Sequence, residues 1–304
     1  MYFVCRAHQH KAKPYIMALK RAGYKLTYNV ARSDFILVDY PNRKQAQRAI
    51  KFNKPIFYYP HSVRPNAPWD VMTEPLDAPT AFFTIAEGHK EIMRRIGYDF
   101  PIEVAGWSYT AIHPFMPVKH EKKIRVLFAP IHPIGTGFLP DIDRELNAKT
   151  YKLLLGMLDN ITLTVRHLQP LVHNALWENS QVKFIAAGPT GDTSDMNLAD
   201  IVIGAFTYAH MAVALGKPLI MMGEEVIPHN SPMRGAKLVL AKNWDKYRDY
   251  LRFPYNIEDV FDKPDDALKM MQAALRNEPK DWKKLFIGKP FVPGEFVKTL
   301  EGYL

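Results

Sequence analysis

Acidic side chains are nearly absent from the first part of this chain. Among residues 1–60, twelve Lys and Arg side chains are balanced only by Asp34 and Asp39, whereas the complete 304-residue chain has a net charge of +9. Such an excess is either a solvated face or a binding surface for a polyanion. Because it is confined to one half of the sequence, it favours a polyanionic partner, either nucleic acid or an anionic membrane surface.

Cysteine and long apolar runs are also scarce. Cys5 is the only cysteine, which excludes an internal disulfide framework and fits a reducing compartment. No apolar run approaches the roughly 18 residues needed to span a bilayer, and no signal peptide precedes the charged N-terminal segment. The sequence therefore predicts a cytoplasmic protein.

Short apolar runs bounded by glycine or proline recur along the chain. Residues 198–225 predict a strand at Ile201–Gly204, a helix capped near Thr207, a Gly-Lys-Pro turn and a strand at Leu219–Met222. Repeated units of this kind indicate parallel sheets with helices on both faces. The proline-rich, basic segment 107–123 interrupts the alternation and is interpreted as a linker.

This alternation predicts two tandem Rossmann-like, doubly wound α/β domains. They occupy residues 1–116 and 117–285, and residues 286–304 contain a C-terminal helix that packs back on the first domain. Near the start, a helix is expected from Pro14 to Ala22 after a loop, because proline suits a first helical turn. Two facing domains would form a cleft between the carboxyl ends of their sheets, with a donor in one domain and an acceptor in the other.

Several segments carry a shared set of patterns. Residues 54–62 (KPIFYYPHS) resemble an apolar strand ending in Trp-His-Gly, 102–107 (IEVAGW) a strand with the pattern V-x-G, 125–130 (RVLFAP) the pattern LYAP, and 164–167 (TVRH) the pattern R-x-H-P. With the segment ALGKP, these resemble GT-B glycosyltransferases, and within them the CDP-glycerol glycerophosphotransferase (teichoic acid polymerase) branch. The resemblance implies the GT-B fold, a nucleotide-diphosphate sugar donor and no obligate metal ion.

Two positions depart from that branch. Gly204–Thr207 replaces an Asp-Tyr-Ser-Ser segment, so only the last hydroxyl is kept. Met211 stands where many GT-B enzymes have an acid that accepts hydrogen bonds from ribose hydroxyls, and methionine cannot do so. Ribose recognition must then come from elsewhere, for example from Glu224 or Glu225 after the next strand, or the donor differs.

The donor site is predicted at the carboxyl ends of the second-domain strands. Small residues after its first strand let backbone N–H groups approach a diphosphate, and a cation at a strand end would stabilise the departing diphosphate. The alternative for residues 135–137 is an ordinary flexible turn. For Thr207 it is a helix cap without a ligand, and for Arg166 it is a surface arginine. A UDP-sugar is the expected donor, with a CDP-linked donor as the alternative. The predicted residues are Gly135, Thr136, Gly137, Arg166, His167, Thr207 and Glu224, whereas Lys217 is expected to be structural.

Histidines of the first domain are candidates for the catalytic base. His61 ends a buried strand and matches the histidine of the Trp-His-Gly pattern, so it could deprotonate an acceptor hydroxyl. His10 and His8 lie in the loop after the first strand, where several GT-B enzymes carry their base. Structural loop histidines, or the carboxylates of Asp70 and Glu87, are the alternatives.

The basic excess suggests a nucleic-acid acceptor. Lysine and arginine would hold phosphates while an aromatic ring, from Phe57, Tyr58, Tyr59 or Trp69, stacks on a flipped base. Phage enzymes that glycosylate hydroxymethylated bases in DNA share the GT-B fold. The expected acceptor contacts are Lys11, Lys13, Arg43, Arg64 and Trp69.

The predicted function is therefore glycosyl transfer to a polyanionic acceptor, a hydroxymethylated base in phage DNA. A membrane surface is a less favoured partner, because no apolar helix rimmed by lysine is present, and no protein partner is predicted. The alternatives are a CDP-glycerol-type phosphotransferase, a sugar-nucleotide epimerase and a non-catalytic nucleotide- or nucleic-acid-binding protein.

Overall fold

In a computed structural model, the chain folds into two compact units. The first unit contains Met1–Pro114 and Leu285–Leu304, and the second contains Phe115–Arg234 and Leu251–Lys284. The structure describes residues 1–6, 9–39, 48–59, 79–96, 99–106, 122–130, 140–167, 179–186, 194–204, 206–222, 255–276 and 288–304.

A parallel sheet forms the centre of each unit. The first comprises β1 (Tyr2–Arg6), β2 (Lys25–Leu26), β3 (Phe35–Asp39), β4 (Ile56–Tyr59), β5 (Ala81–Thr84) and β6 (Ile102–Val104). Its strand order is β2-β1-β3-β4-β5-β6. The second comprises β7 (Ile124–Ala129), β8 (Ile161–His167), β9 (Lys183–Ala186), β10 (Ile201–Gly204) and β11 (Leu219–Met221), in the order β11-β10-β7-β8-β9.

Helices alternate with these strands. They are α1 (Gln9–Arg21), α2 (Glu87–Ile96), α3 (Pro140–Leu155), α4 (Ser194–Asn197), α5 (Phe206–Ala214), α6 (Pro264–Leu275) and α7 (Pro293–Glu301). Residues 48–51 are also helical, and short 3-10 helices span Val30–Arg32 and Ile257–Val260. Among the described helices, none has the length and apolarity that crossing a membrane requires.

The central strands of the first sheet are buried on both faces. Phe57 and Tyr59 pack on one side with Tyr15 of α1 and Phe296 of α7, whereas Tyr58 packs on the other side. All three strand aromatics are at most 1% exposed. The prediction that Phe57, Tyr58 or Tyr59 stacks on a flipped base is therefore wrong, because the period-two alternation of a strand directs these rings into the two cores.

Helix α1 begins earlier than predicted. It starts at Gln9, so Pro14 lies inside the helix and not at its first turn. Proline there removes the N–H that would donate to the carbonyl of His10, and it disfavours a helix. The buried side chains Ala12, Tyr15 and Leu19 follow helical spacing, so packing of this face outweighs the local effect of the proline.

The C-terminal segment completes the core of the first unit. Lys289 donates its backbone N–H to the Ile85 carbonyl at 3.1 Å, and the chain then passes over Gly106. Farther along, the rings of Phe291 and Phe296 lie 5.0 and 5.1 Å from that of Tyr15. Helix α7 thus closes the apolar face that α1 covers only in part.

Two tyrosine–carboxylate hydrogen bonds fasten this segment. The Tyr24 hydroxyl donates to Glu301 at 2.9 Å, and the Tyr303 hydroxyl donates to Glu103 of β6 at 2.5 Å. Burial and the adjacent carboxylate raise the pKa of Tyr24 to about 12 and, in the same way, the pKa of Tyr303 to about 12. Both bonds require the neutral phenol as donor.

We expect these bonds to make the first unit sensitive to alkali. The unfolded phenol has a pKa near 10, so the stabilisation is complete below about pH 10 and is lost as the pH rises through about 12. Urea unfolding between pH 8 and pH 12 should show a steeper loss of unfolding free energy for wild type than for the double variant Tyr24→Phe, Tyr303→Phe. Parallel pH profiles of the two proteins would contradict the assignment.

Candidate functional site

In each sheet the strand order reverses at one point. In the second unit the chain runs outward from β7 through β8 to β9, then returns to place β10 on the other side of β7. Ligands of open parallel sheets bind where the strand order reverses, outside the carboxyl ends of the strands. The β7–β10 boundary is therefore the candidate donor site of this unit. The loop with Gly135, Thr136 and Gly137 follows β7 but lies outside the described residues, as does Glu224.

Arg166, one of the predicted donor residues, is buried and contacts two neighbouring helices. It is the penultimate residue of β8 and is only 4% exposed, so it is not the surface arginine considered as an alternative. Its guanidinium forms an ion pair with Asp195 of α4 and lies 4.7 Å from the ring centre of Tyr208 on α5. Because β7 separates β8 from β10, a side chain that reaches from β8 to α5 must cross the carboxyl end of β7.

This arrangement changes what Arg166 does chemically. Asp195 balances its charge, so the pair attracts a diphosphate less strongly than an isolated cation would. The Asp195 carboxylate also accepts the Met196 backbone N–H at 2.8 Å, which fixes the start of α4. The cluster joins β8, α4 and α5 around the candidate site. Direct contact of Arg166 or of His167, the last residue of β8, with a donor stays a prediction.

Helix α5 begins one residue earlier than the predicted cap. It starts at Phe206, so Thr207 is the second helical residue and not the N-cap. Thr207 therefore belongs to the first turn, where backbone N–H groups have no partner within the helix. A Cβ built on Gly204 would meet Ala129 at 3.4 Å, so the small residue permits close packing at the end of β10.

The surroundings of Met211 and Lys217 fit a structural role for both side chains. Met211 is 4% exposed within α5, so its position is apolar and offers no acceptor to a ribose. Lys217 donates to the carbonyls of Ala199 at 3.0 Å and Asn197 at 3.5 Å, and burial lowers its pKa against the opposing effect of Asp200. The expectation that Lys217 is structural agrees with these bonds.

In the first unit the strand order reverses between β1 and β3. The segment after β1 carries His8 and leads into the first turn of α1, which contains His10. The segment that carries His61 follows β4, which is two strands away from β1, or about 10 Å. The topology therefore places the start of α1 nearer to the point of reversal than the end of β4. His8 and His61 lie outside the described residues.

The other candidates are distributed unevenly. Glu87 begins α2 and pairs with Lys289 at 3.0 Å, which gives it a surface structural contact. Lys11 and Lys13 lie on α1 and not in the predicted loop, and Lys13 is exposed. Within the described residues, no group of three His, Cys, Asp or Glu side chains could hold a metal ion. Four further candidates also lie outside the described residues, namely Asp70, Arg43, Arg64 and Trp69.

Sequence reasoning missed Asp195 and Tyr208. Asp195 lies on a helix of four residues, which is too short to have a detectable periodicity. Tyr208 follows Thr207 and carried no charge or motif to single it out. The signal available for both was their proximity in sequence to the strands that flank the donor site.

Solved structures with a similar fold cover nearly the whole chain. Spinosyn rhamnosyltransferase SpnG matches with a TM-score of 0.58 and 12% identity over 99% of both chains. Spinosyn forosaminyltransferase SpnP gives a TM-score of 0.55 and 11% identity over 99% of this chain and 98% of its own. SsfS6, a glycosyltransferase from Streptomyces sp. SF2575 solved with thymidine diphosphate, gives 0.51 and 12% over 99% of both. No protein-family model and no curated protein matches.

Two doubly wound parallel sheets in separate units define a two-domain α/β protein of the Rossmann-like class. The full-length similarity to SpnG and SpnP narrows this class to the GT-B fold, which confirms the predicted fold.

Proposed function

We propose that this chain is a glycosyltransferase that uses a nucleoside-diphosphate sugar. The observation that carries the proposal is the structural similarity to SpnG over 99% of both chains. In the proposed reaction, an acceptor hydroxyl oxygen bonds to the anomeric carbon while the bond from that carbon to the diphosphate breaks. The hydroxyl proton passes to a base of the protein, and the nucleoside diphosphate leaves.

The second unit would bind the donor at the β7–β10 boundary. First-turn N–H groups of α5, with the Thr207 hydroxyl and the loop Gly135–Gly137, are suited to a diphosphate because they are donors at the positive end of a helix and in a small-residue turn. Arg166 would hold the surrounding elements in place. The buried Met211 leaves ribose recognition to another group, for which Glu224 is the proposed candidate.

The first unit would supply the base, and its strand order favours His10 or His8 over His61. A base positioned at the acceptor hydroxyl contributes about 10²–10⁴-fold to the rate. We therefore expect His10→Ala or His8→Ala to lower kcat by a factor in this range while the nucleoside-diphosphate Kd stays unchanged. Steady-state kinetics and calorimetric titration measure the two quantities.

His61→Ala is the matched comparison. A loss of kcat only in the His61 variant would identify His61, which follows β4, as the base. Unchanged turnover in all three variants would reject a histidine base.

For the acceptor, we propose a hydroxymethylated base in DNA, supported by the positions of Lys11 and Lys13 at the start of α1, next to His10. The competing class is a small apolar aglycone, since SpnG has been solved with the spinosyn aglycone. Mass spectrometry after incubation with UDP-, TDP- and CDP-linked donors distinguishes them. A mass increase on hydroxymethylated DNA supports the proposal, and one confined to a polyketide aglycone refutes the DNA acceptor. Transfer of glycerophosphate from CDP-glycerol would instead identify the phosphotransferase alternative.

A further inference from the structure

Seven basic side chains of the first unit lie at the edge of the sheet opposite to the candidate base. Strands β1 to β4 run in parallel, so their first residues form one edge, which we call the amino edge. Helix α1 and the helical residues 48–51 end beside it, because each leads into the start of a strand. Exposed bases at this edge are Lys20, Arg21, Lys25, Arg32, Arg48 and Lys51, and Lys54 is half-buried there.

Backbone hydrogen bonds show that these segments are contiguous. Lys25 donates its N–H to the Met1 carbonyl at 2.9 Å, and Asp34 donates its N–H to the Tyr2 carbonyl at 2.7 Å. The Lys25 ammonium also lies 5.9 Å from the centre of the Tyr2 ring. Neighbouring strands are about 4.8 Å apart, so four strand starts form a row about 15 Å long.

Few acids offset this charge. Asp34 is the acid within the row, and one of its carboxylate oxygens already accepts the Tyr2 N–H at 2.6 Å. Glu301 lies near the end of α1, where it accepts from the Tyr24 hydroxyl, and Asp99 precedes the distant strand β6. Seven bases against these three acids leave the amino edge strongly positive among the described residues.

Apolar side chains are exposed between the bases. Tyr2 is 46% exposed, Ile50 is 41% exposed and Phe52 is 43% exposed. Phe52 follows Lys51 directly, and Ile50 lies between Arg48 and Lys51. Aliphatic and aromatic groups rimmed by Lys and Arg are suited to the boundary between lipid headgroups and acyl chains. A nucleic-acid surface would use the bases and a ring, but it gains little from Ile50.

We propose that the amino edge of the first unit docks the protein onto an anionic phospholipid membrane. The lysines and arginines would contact headgroup phosphates and carboxylates, while Phe52 and Ile50 enter the interface. The strands of this sheet have up to five residues, so the start of α1 with His10 lies about 17 Å away, at the other edge. Docking would therefore leave the edge with the candidate base uncovered, and the surface is distinct from the proposed reaction site.

Sedimentation with sucrose-loaded vesicles tests the proposal. The full chain should bind vesicles of phosphatidylcholine with 30% phosphatidylserine and should not bind phosphatidylcholine alone. The triple variant Lys20→Gln, Lys25→Gln, Lys51→Gln should lower the partition coefficient about a hundredfold, because each base near an anionic surface contributes about 1 kcal/mol. Phe52→Ser should also lower the partition coefficient, and this loss should persist at high salt, where the charges are screened.

A matched control removes three exposed lysines from the second unit, in the variant Lys122→Gln, Lys152→Gln, Lys183→Gln. This variant should bind the anionic vesicles nearly as well as wild type. Equal losses in both triple variants, or equal binding to both vesicle types, would overturn the proposal. So would tighter binding to duplex DNA that is insensitive to Phe52→Ser, which would identify a nucleic-acid surface. Nucleoside-diphosphate binding without vesicles should be the same in all variants, so failure here leaves the proposed transfer reaction intact.

Discussion

Gly106→Ala should destabilise the first unit by about 2–5 kcal/mol, through left-handed backbone strain and steric overlap together. Gly106 has φ of +88°, and a Cβ built on it would lie 2.5 Å from the Pro290 carbonyl oxygen. The obstacle is backbone, so it cannot be relieved by a change of rotamer. Denaturant unfolding monitored by far-UV circular dichroism measures the loss, which is a large fraction of the total stability of a typical domain.

Two other glycines separate the contributions of strain and overlap. Gly23 has a similar φ of +90° but nothing within 4 Å of a built Cβ, so Gly23→Ala should cost only about 1–2 kcal/mol. Gly294 lies in α7 with open space around it, and Gly294→Ala should be neutral or slightly stabilising. Equal losses at Gly106 and Gly23 would mean that the Pro290 segment does not press on Gly106.

Asp195→Ala should destabilise the second unit by about 3–5 kcal/mol, because it leaves the buried Arg166 charge without its counter-ion. The side chains of Arg166 and Asp195 are only 3% and 9% exposed, so water cannot replace the lost carboxylate. We also expect weaker nucleoside-diphosphate binding, since α4 and the first turn of α5 lose a common support. Urea unfolding and calorimetric titration measure the two effects.

The double variant Arg166→Met, Asp195→Leu distinguishes support from direct binding. Replacing both charges with apolar groups removes the unpaired ion, so the double variant should be more stable than either single variant. If Arg166 acts by positioning, nucleoside-diphosphate affinity should recover along with stability. Recovered stability with persistently weak affinity would show that the guanidinium itself contacts the diphosphate. Single variants as stable as wild type would contradict the buried ion pair.

Sequence patterns predicted an element correctly where the local preference of its residues agrees with the way they pack in the core. The strand Ile201–Gly204 has the predicted bounds, because a short apolar run that ends at a glycine is typical of a buried parallel strand. At α1 the two signals conflict. The helix rule for Pro14 favoured a later start, and the apolar face of Ala12, Tyr15 and Leu19 decided otherwise.

The candidate site was harder to predict, because its contacts join segments that are distant in sequence. Nothing local to Asp195 indicates that it pairs with Arg166, 29 residues earlier. The basic excess was visible, but its position was not. Only the strand order shows that Lys25 and Lys51 lie at the amino edge, away from the reversal point. The edge that carries these lysines could therefore not be predicted from charge alone.

The discontinuity of the first unit affects how the protein is made. Its core needs Phe291 and Phe296, which follow the whole second unit in sequence. At about 5–20 residues per second, a ribosome needs roughly 10–40 s to proceed from Phe115 to Leu304. During that time the aromatic face of the emerged N-terminal strands has no cover from α7. The first unit can therefore complete its core only after the whole second unit has been synthesised.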